Sequence, residues 1–418
     1  MHKIALTGLS AVFLFEMLDN SILTVALPTI GRDLHASTAA LQLVTSSYAI
    51  AFGLLMLPLS ALADRVGRRR IMLVGLAILA LASLATAVVT TVEQLVVFRI
   101  AMGVAAAMTT PGSLSLAFRM FDADELRIKA TTLISTVGLV GLAVGPPVGG
   151  FVLAFAPWQV LLLVNVPIAV LAFVCIRVAI AADDPAELYR GPVKPFEALK
   201  LAGSVSSGLA FKGAAGLATA GLGYLATLQL QLAWGWTPAQ AALGMLPQVA
   251  VLIAGGALIG PVVKRLGLDR AAWMSSAAVV AGLAVYSVLG RFGYGWVALS
   301  LVLVAAGLRV VGVVAGTSVL KGVPSDRTTV GAALVDTASE LASAIGIAIA
   351  GTVLATLFTG NVASTWTVQQ ADQFTTAVTT GGLTLTVLAA ALVAWGIARS
   401  TSQTRPTPPA PQTTTENG

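Results

Sequence analysis

The chain is 418 residues long, 57% hydrophobic and only 10% charged, with a formal net charge of +6 and a mean hydropathy of +0.91. Soluble domains carry about a quarter charged residues, so this composition excludes a soluble globular protein. The charge deficit runs along the whole chain, which also excludes one hydrophobic anchor on a soluble domain; lipid is the solvent that makes such a sequence stable.

The N-terminal stretch MHKIALTGLS is a short basic start leading into an apolar segment. That segment is long, contains Glu16 and Asp19, and lacks a well-placed small-residue cleavage site, so it reads as a retained first span and not as a signal peptide. Each pass needs roughly 20 mainly apolar residues. On that measure spans are expected near 5–27, 39–62, 71–90, 94–118, 130–155 and 159–181. A polar linker follows at 183–202, and six more spans fall near 206–232, 239–263, 271–290, 296–320, 329–358 and 378–398. Residues 401–418 are rich in Pro, Thr and Gln and read as a disordered tail.

Alternate loops carry the positive charge: 20 Lys/Arg fall on one side and only Arg32 and Arg291 on the other, with Arg99 and Arg309 inside spans. The positive-inside rule then puts both termini in the cytoplasm of a multi-pass protein of the cytoplasmic (inner) membrane. These basic residues sit in short loops, so nucleic acid is not an expected partner. Cys175 is the only cysteine, and His2 and His35 fall at a terminus and in a loop. No metal-ligand spacing or phosphate-cradling loop is present, so no metal, cofactor or nucleotide-driven step is expected, and no nucleophile–base set suggests an enzyme. The lone thiol reads as a packing residue.

The two halves look alike. Each has six spans, and each carries a Gly/basic loop after its second span: SALADRVGRRR at 60–70 and GALIGPVVKRLGLDR at 256–270. The expected fold class is an all-α polytopic membrane protein of two six-helix bundles, residues 1–182 and 203–400, around a central cavity. A twelve-helix channel or scaffold is the alternative, but no filter sequence is visible.

Glu16, Asp19, Arg99, Arg309, Asp336 and Glu340 all fall within spans. A charge at a helix centre costs about 2.5–3.5 kcal/mol on insertion scales, so such residues mark a use or a partner. Desolvation favours the protonated form of a carboxylate, which is the minimum chemistry of proton coupling. Asp19 is the first candidate for a proton carrier. Glu16, three residues away, shares its helix face. Asp336 and Glu340 share another face; a cationic substrate, a second proton or a pair with Arg309 are open readings. Arg99 pairs with a first-span acid, tunes it, or bonds backbone carbonyls. Lys212, near the start of a span, reads as snorkelling.

Four motifs in the first half carry a family resemblance: LDNSILTVALPTI (18–30), LADRVGRRR (62–70), Arg99-Ile-Ala-Met-Gly103, and GLVGLAVGPPVGG (138–150). In the second half Gln231, Gly235, Pro238 and Pro247 fit the same pattern. Together they resemble the major facilitator superfamily, and within it the drug/proton antiporter branch whose usual members have fourteen spans. Two central spans of that branch are missing here. Ser60 and Met102 stand where the family usually has Gly and Gln. Asp336 and Glu340 stand where it usually has amides.

The resemblance implies proton-coupled export of small organic, hydrophobic or cationic compounds by alternating access, with small molecules, protons and lipid as partners and a monomer as the working unit. An importer or metabolite permease of the same fold is the alternative. It further implies a gating loop of Asp64, Arg65, Gly67 and Arg68, in which Asp64 meets the N-terminus of another helix. Gly141, Gly145, Pro146, Gly149 and Gly150 would form a tightly packed, bent antiporter helix.

Overall fold

A computed structural model describes residues 2–121, 124–183, 203–322, 328–360 and 366–401. Among the described residues every regular element is helical. The first half comprises α1 (His2–Asp33), α2 (Thr38–Val66), α3 (Arg68–Ala85), α4 (Val92–Arg119), α5 (Asp124–Val152), α6 (Gln159–Leu163) and α7 (Asn165–Ala179). The second comprises α8 (Gly203–Leu228), α9 (Pro238–Gly244), α10 (Leu246–Ala254), α11 (Gly256–Leu266), α12 (Leu268–Leu289), α13 (Tyr294–Gly322), α14 (Thr328–Leu357) and α15 (Val368–Thr401). Nine stretches are long and apolar enough to cross a membrane. α5, α8 and the α9–α11 run occupy the remaining three of the expected spans. Nearly all of the linker (184–202) and of the tail (402–418) lies outside the described residues.

The helices outrun the apolar segments that reveal them. α15 begins at Val368, ten residues before the expected span. A capping box starts it there: Gln370 N–H donates to Thr367 Oγ1 at 3.2 Å, and Thr367 N–H donates to Gln370 Oε1 at 3.0 Å. The eighth pass breaks into three. Pro247 sits in the first turn of α10, where its missing N–H and its ring interrupt the helix begun in α9. Gly255 caps α10 and starts α11.

The two Gly/basic loops adopt related geometry. Gly67 joins α2 to α3 at φ +110°, and Gly267 joins α11 to α12 at φ +76°. Both values lie in the region that side chains disfavour, so each glycine sets a sharp break between helices.

Within the first half, α1 packs on α5 and α7, α2 on α4, and α3 on α4 and α7. Within the second, α8 packs on α13, α14 and α15, and α12 on α13 and α15. The halves meet along α2–α14 and along α5 with α9 and α10. Small residues permit the close approaches. A Cβ at Gly141 would stand 2.8 Å from the Leu14 carbonyl oxygen. Gly145 abuts the Ser21 hydroxyl, and Gly149 faces Ile22. Gly150, one residue on, turns to the other half, where a Cβ would meet Pro238 O at 2.7 Å and Ala239 Cα at 2.8 Å. Tandem glycines thus serve two different neighbours.

Contacts between the halves include a pair at mid-depth and several at the end where α1 hands over to α2. Gly53 lies against Leu341 at mid-depth. Further out, Gln42 packs on Gly351 and donates to Thr352 Oγ1 at 3.4 Å. Gln231, in a π-helical turn after α8, donates to Val25 O at 2.9 Å. That end lies opposite the chain's N-terminus.

Gly141→Leu should lower the thermal midpoint in detergent, because the atom it meets is backbone and cannot swing away. Overpacking of this kind costs about 1–3 kcal/mol. An unchanged midpoint would contradict the backbone contact between α1 and α5.

Candidate functional site

A buried ion pair lies at the centre of the first half. Asp19 (α1) and Arg99 (α4) bond through Oδ2 and Nη1, and both side chains are fully shielded from solvent. The remaining Asp19 oxygen, Oδ1, accepts from Asn165 Nδ2 at 2.7 Å. Asn165 is the first residue of α7, at the break between α6 and α7. Arg99 also donates through Nε to Val44 O at 3.3 Å, lies 3.8 Å from Met102 Sδ, and stacks 4.4 Å from the centre of the Tyr48 ring. Burying two charges is tolerable only when hydrogen bonds satisfy the rest of both groups. Here one position stays open, because Arg99 Nη2 is buried without a partner. Of the readings open for Arg99, the structure brings it to Asp19.

Glu16 lies one turn away and is in a different state. It is 3% exposed, and its Oε2 has no hydrogen-bond partner. The Thr110 side chain faces it from α4, also with an unpartnered hydroxyl. Tyr48 Oη is unpartnered nearby. Four buried polar atoms from α1, α2 and α4 are therefore open in one region.

Across from Glu16, α14 presents Asp336 and Glu340, and Glu16 interacts electrostatically with Glu340 and with Asp336. Both α14 acids keep partial exposure. Lys212 of α8 acts on both. The register of α8 against α14 explains this: Gly213 faces Ala338 and Ala342, and Gly216 faces Ser339 and Ser343. Lys212 is thus close in register to the acid pair. Arg309 makes no ion pair with Asp336 or Glu340. Its Nε is buried without a partner, and its aliphatic stem lies against Gly255.

The loop after α2 is organised within its own half. Asp64 Oδ1 accepts from Arg68 Nε at 2.7 Å and from Nη2 at 2.6 Å. Arg65 is exposed. The N-terminus of α3 is bound by Asp183, whose Oδ2 accepts from Arg69 N–H at 3.1 Å. Arg69 Nη2 also donates to Arg177 O at 2.8 Å. Any Cβ at Gly67 would meet Asp183 Oδ2 at 2.5 Å, so the glycine is required for space as well as for φ. An acid at a helix N-terminus is favoured by the unsatisfied N–H groups and the dipole.

Comparison with known proteins follows the same lines. Residues 9–347 match the family model of the Major Facilitator Superfamily. The chain is 34% identical over 320 residues to the cephamycin export protein CmcT of Amycolatopsis lactamdurans, covering 70% of this chain and 62% of that protein. It is 26% identical over 395 residues to the tetracenomycin C resistance and export protein of Streptomyces glaucescens, covering 81% and 73%. In fold it resembles a bacterial homolog of the human lysosomal transporter Spinster, solved inward-facing and unoccupied. The TM-score is 0.79 at 15% identity, over 97% of this chain and 99% of that one.

Two outcomes test this geometry. Asp19→Asn or Arg99→Met alone should cost on the order of 3–5 kcal/mol, because each strands a buried charge, and the double replacement should recover most of the loss. Additive losses in thermal midpoint would refute the pair. Asp183→Ala should cost about 1 kcal/mol and speed hydrogen exchange in the first turn of α3; unchanged exchange there would rule out the cap.

Proposed function

The chain belongs to the Major Facilitator Superfamily, and from that premise we propose that it exports small organic compounds, hydrophobic or cationic, across the cytoplasmic membrane in exchange for protons. Transport proceeds by alternating access between two six-helix units, residues 1–182 and 203–400, joined by a cytoplasmic linker at 183–202. The working unit is a monomer, both termini are cytoplasmic, and residues 401–418 form a cytoplasmic tail. The asymmetry of loop charge supports that orientation. In that frame the contacts between the halves lie toward the outer end, so this conformation is closed to the outside.

One feature supports the proton coupling: buried and half-buried carboxylates from both halves, Glu16 with Asp336 and Glu340, lie within electrostatic reach of one another. Asp19 and Glu16 divide the work. Both oxygens of Asp19 already accept hydrogen bonds. A proton arriving there displaces Arg99 or Asn165, so protonation of Asp19 loosens α1 from α4 and α7. Glu16 has only the Thr110 hydroxyl beside it and no charged partner, so it takes a proton with less rearrangement than Asp19. Glu16 is therefore the entry point in this conformation, and Asp19 is the group whose protonation changes the packing. Arg99 Nη2, unpartnered here, is free to follow the charge to a new acceptor.

Export is the direction, and the names of both relatives, each an export protein, support it. Asp64, Arg65, Gly67 and Arg68 form the gating loop at the cytoplasmic face, held by the Asp64–Arg68 pair. The Gly141–Gly150 stretch of α5 is the antiporter helix that seals the units against leakage.

Everted membrane vesicles with an imposed pH gradient and a panel of lipophilic cations test this. The expected result is proton efflux dependent on the added compound, abolished by Asp19→Asn and cut about tenfold or more by Glu16→Gln. Uptake of compound with no proton movement, or with protons moving in the same direction, would establish the permease reading instead.

A further inference from the structure

The α14 acid pair and Lys212 face each other without touching. Both acids feel the ammonium, yet among the described residues no ion pair joins Lys212 to either of them. The side chains are half-buried, on helices packed side by side at Gly213–Ala338 and Gly216–Ser339. Opposite charges at this depth, left apart, forgo an attraction that a low-dielectric interior strengthens. Glu16 faces the same region from the first half, with an oxygen that is buried and unpartnered. Three carboxylates, Glu16, Asp336 and Glu340, and one ammonium, Lys212, thus stand within electrostatic reach, with no ion pair joining the two signs among the described residues.

We propose that this cluster of unjoined charges is a binding site for a small zwitterion, whose cationic group sits between Glu16 and Glu340 and whose anionic group bonds Lys212. The inference rests on the transport reading above and narrows its substrate class. A purely cationic ligand leaves Lys212 facing its positive charge. A purely anionic ligand meets three carboxylates. Only a ligand bearing both signs satisfies the two positions together. Because Lys212, Asp336 and Glu340 all belong to the second half while Glu16 belongs to the first, such a ligand also bridges the units.

A matched set of fluorescent probes separates the cases. Rhodamine 110 carries a delocalised cation and a carboxylate, rhodamine 123 is its methyl ester and keeps only the cation, and fluorescein lacks the cationic nitrogens. Binding to the purified full-length chain in nanodiscs, with no pH gradient, is read by anisotropy. The wild type is expected to bind rhodamine 110 about tenfold tighter than either of the others. Lys212→Met should remove that preference while leaving rhodamine 123 bound as before or tighter. Lys212→Arg should keep it, and Glu340→Gln should weaken both rhodamines. Lys212→Gln serves as the second neutral variant should the Met variant fail to fold.

Equal affinity for the acid and its ester in the wild type, absence of binding by all three, or a preference that survives loss of the Lys212 charge would overturn the proposal. Compound-dependent proton movement, measured separately in vesicles, distinguishes this failure from failure of the export reading. Coupling that persists without the zwitterion preference sinks only the site. A zwitterion preference without coupling sinks only the antiport.

Discussion

The bond between Asp19 and Arg99 is the constraint around which the first half is arranged. Neither charge tolerates lipid, and neither is stable in a packed interior without the other. Satisfying them draws together α1, α4, α2 through the Val44 carbonyl and the Tyr48 ring, and α7 through Asn165. Four helices are thereby fixed by electrostatics at a depth where the hydrophobic effect supplies no preference between lipid and protein. Close packing of small residues does the rest, as expected where helices associate without water to expel.

The second half is built on a different balance. Its charges are not collapsed into one bond. Lys212, Asp336 and Glu340 stand near one another in partly open space, and Arg309 is held apart from them. A protein made of one tightly satisfied bundle and one with spare charge has a natural division of labour. In the proposed exchange, the first holds the group whose protonation loosens the packing, and the second supplies most of the charge that meets a ligand. Glu16 stands between these roles, close to Asp19 in sequence and facing the acids in space.

Much of this was legible in the sequence, because lipid imposes a simple rule. A chain with so few charges must repeat apolar segments long enough to span, and the nine long apolar helices among the described residues fall where that rule puts them. The ends were harder. Helices continue past the apolar part wherever capping groups allow, as at Thr367, and they break wherever proline removes a donor, as at Pro247. In-span charges such as Asp19 and Arg99 announce themselves by their cost. Their neutral partners do not: Asn165 and Tyr48 look like ordinary polar and aromatic residues of a membrane helix. Lys212 fits snorkelling by its position near a helix start, and only the register of α8 on α14 reveals that acids lie near it. Asp183 was read as part of a linker, since a cap supplied from 114 residues away leaves no local trace.

The paired glycines of α5 carry a last consequence. Gly149 lies against Ile22 of α1 within the same half, whereas the atoms nearest Gly150 belong to Pro238, Ala239 and Ala242 of the opposing half, at the outer mouth that the proposed cycle opens and closes. When that mouth opens, the first contact persists and the second vanishes. Bulk at position 150 therefore penalises one conformer and spares the other, which shifts populations while leaving the chemistry of transport untouched. Such a position is a tuning point for how long the carrier dwells on each side of the membrane, available to evolution at no cost to any charged residue.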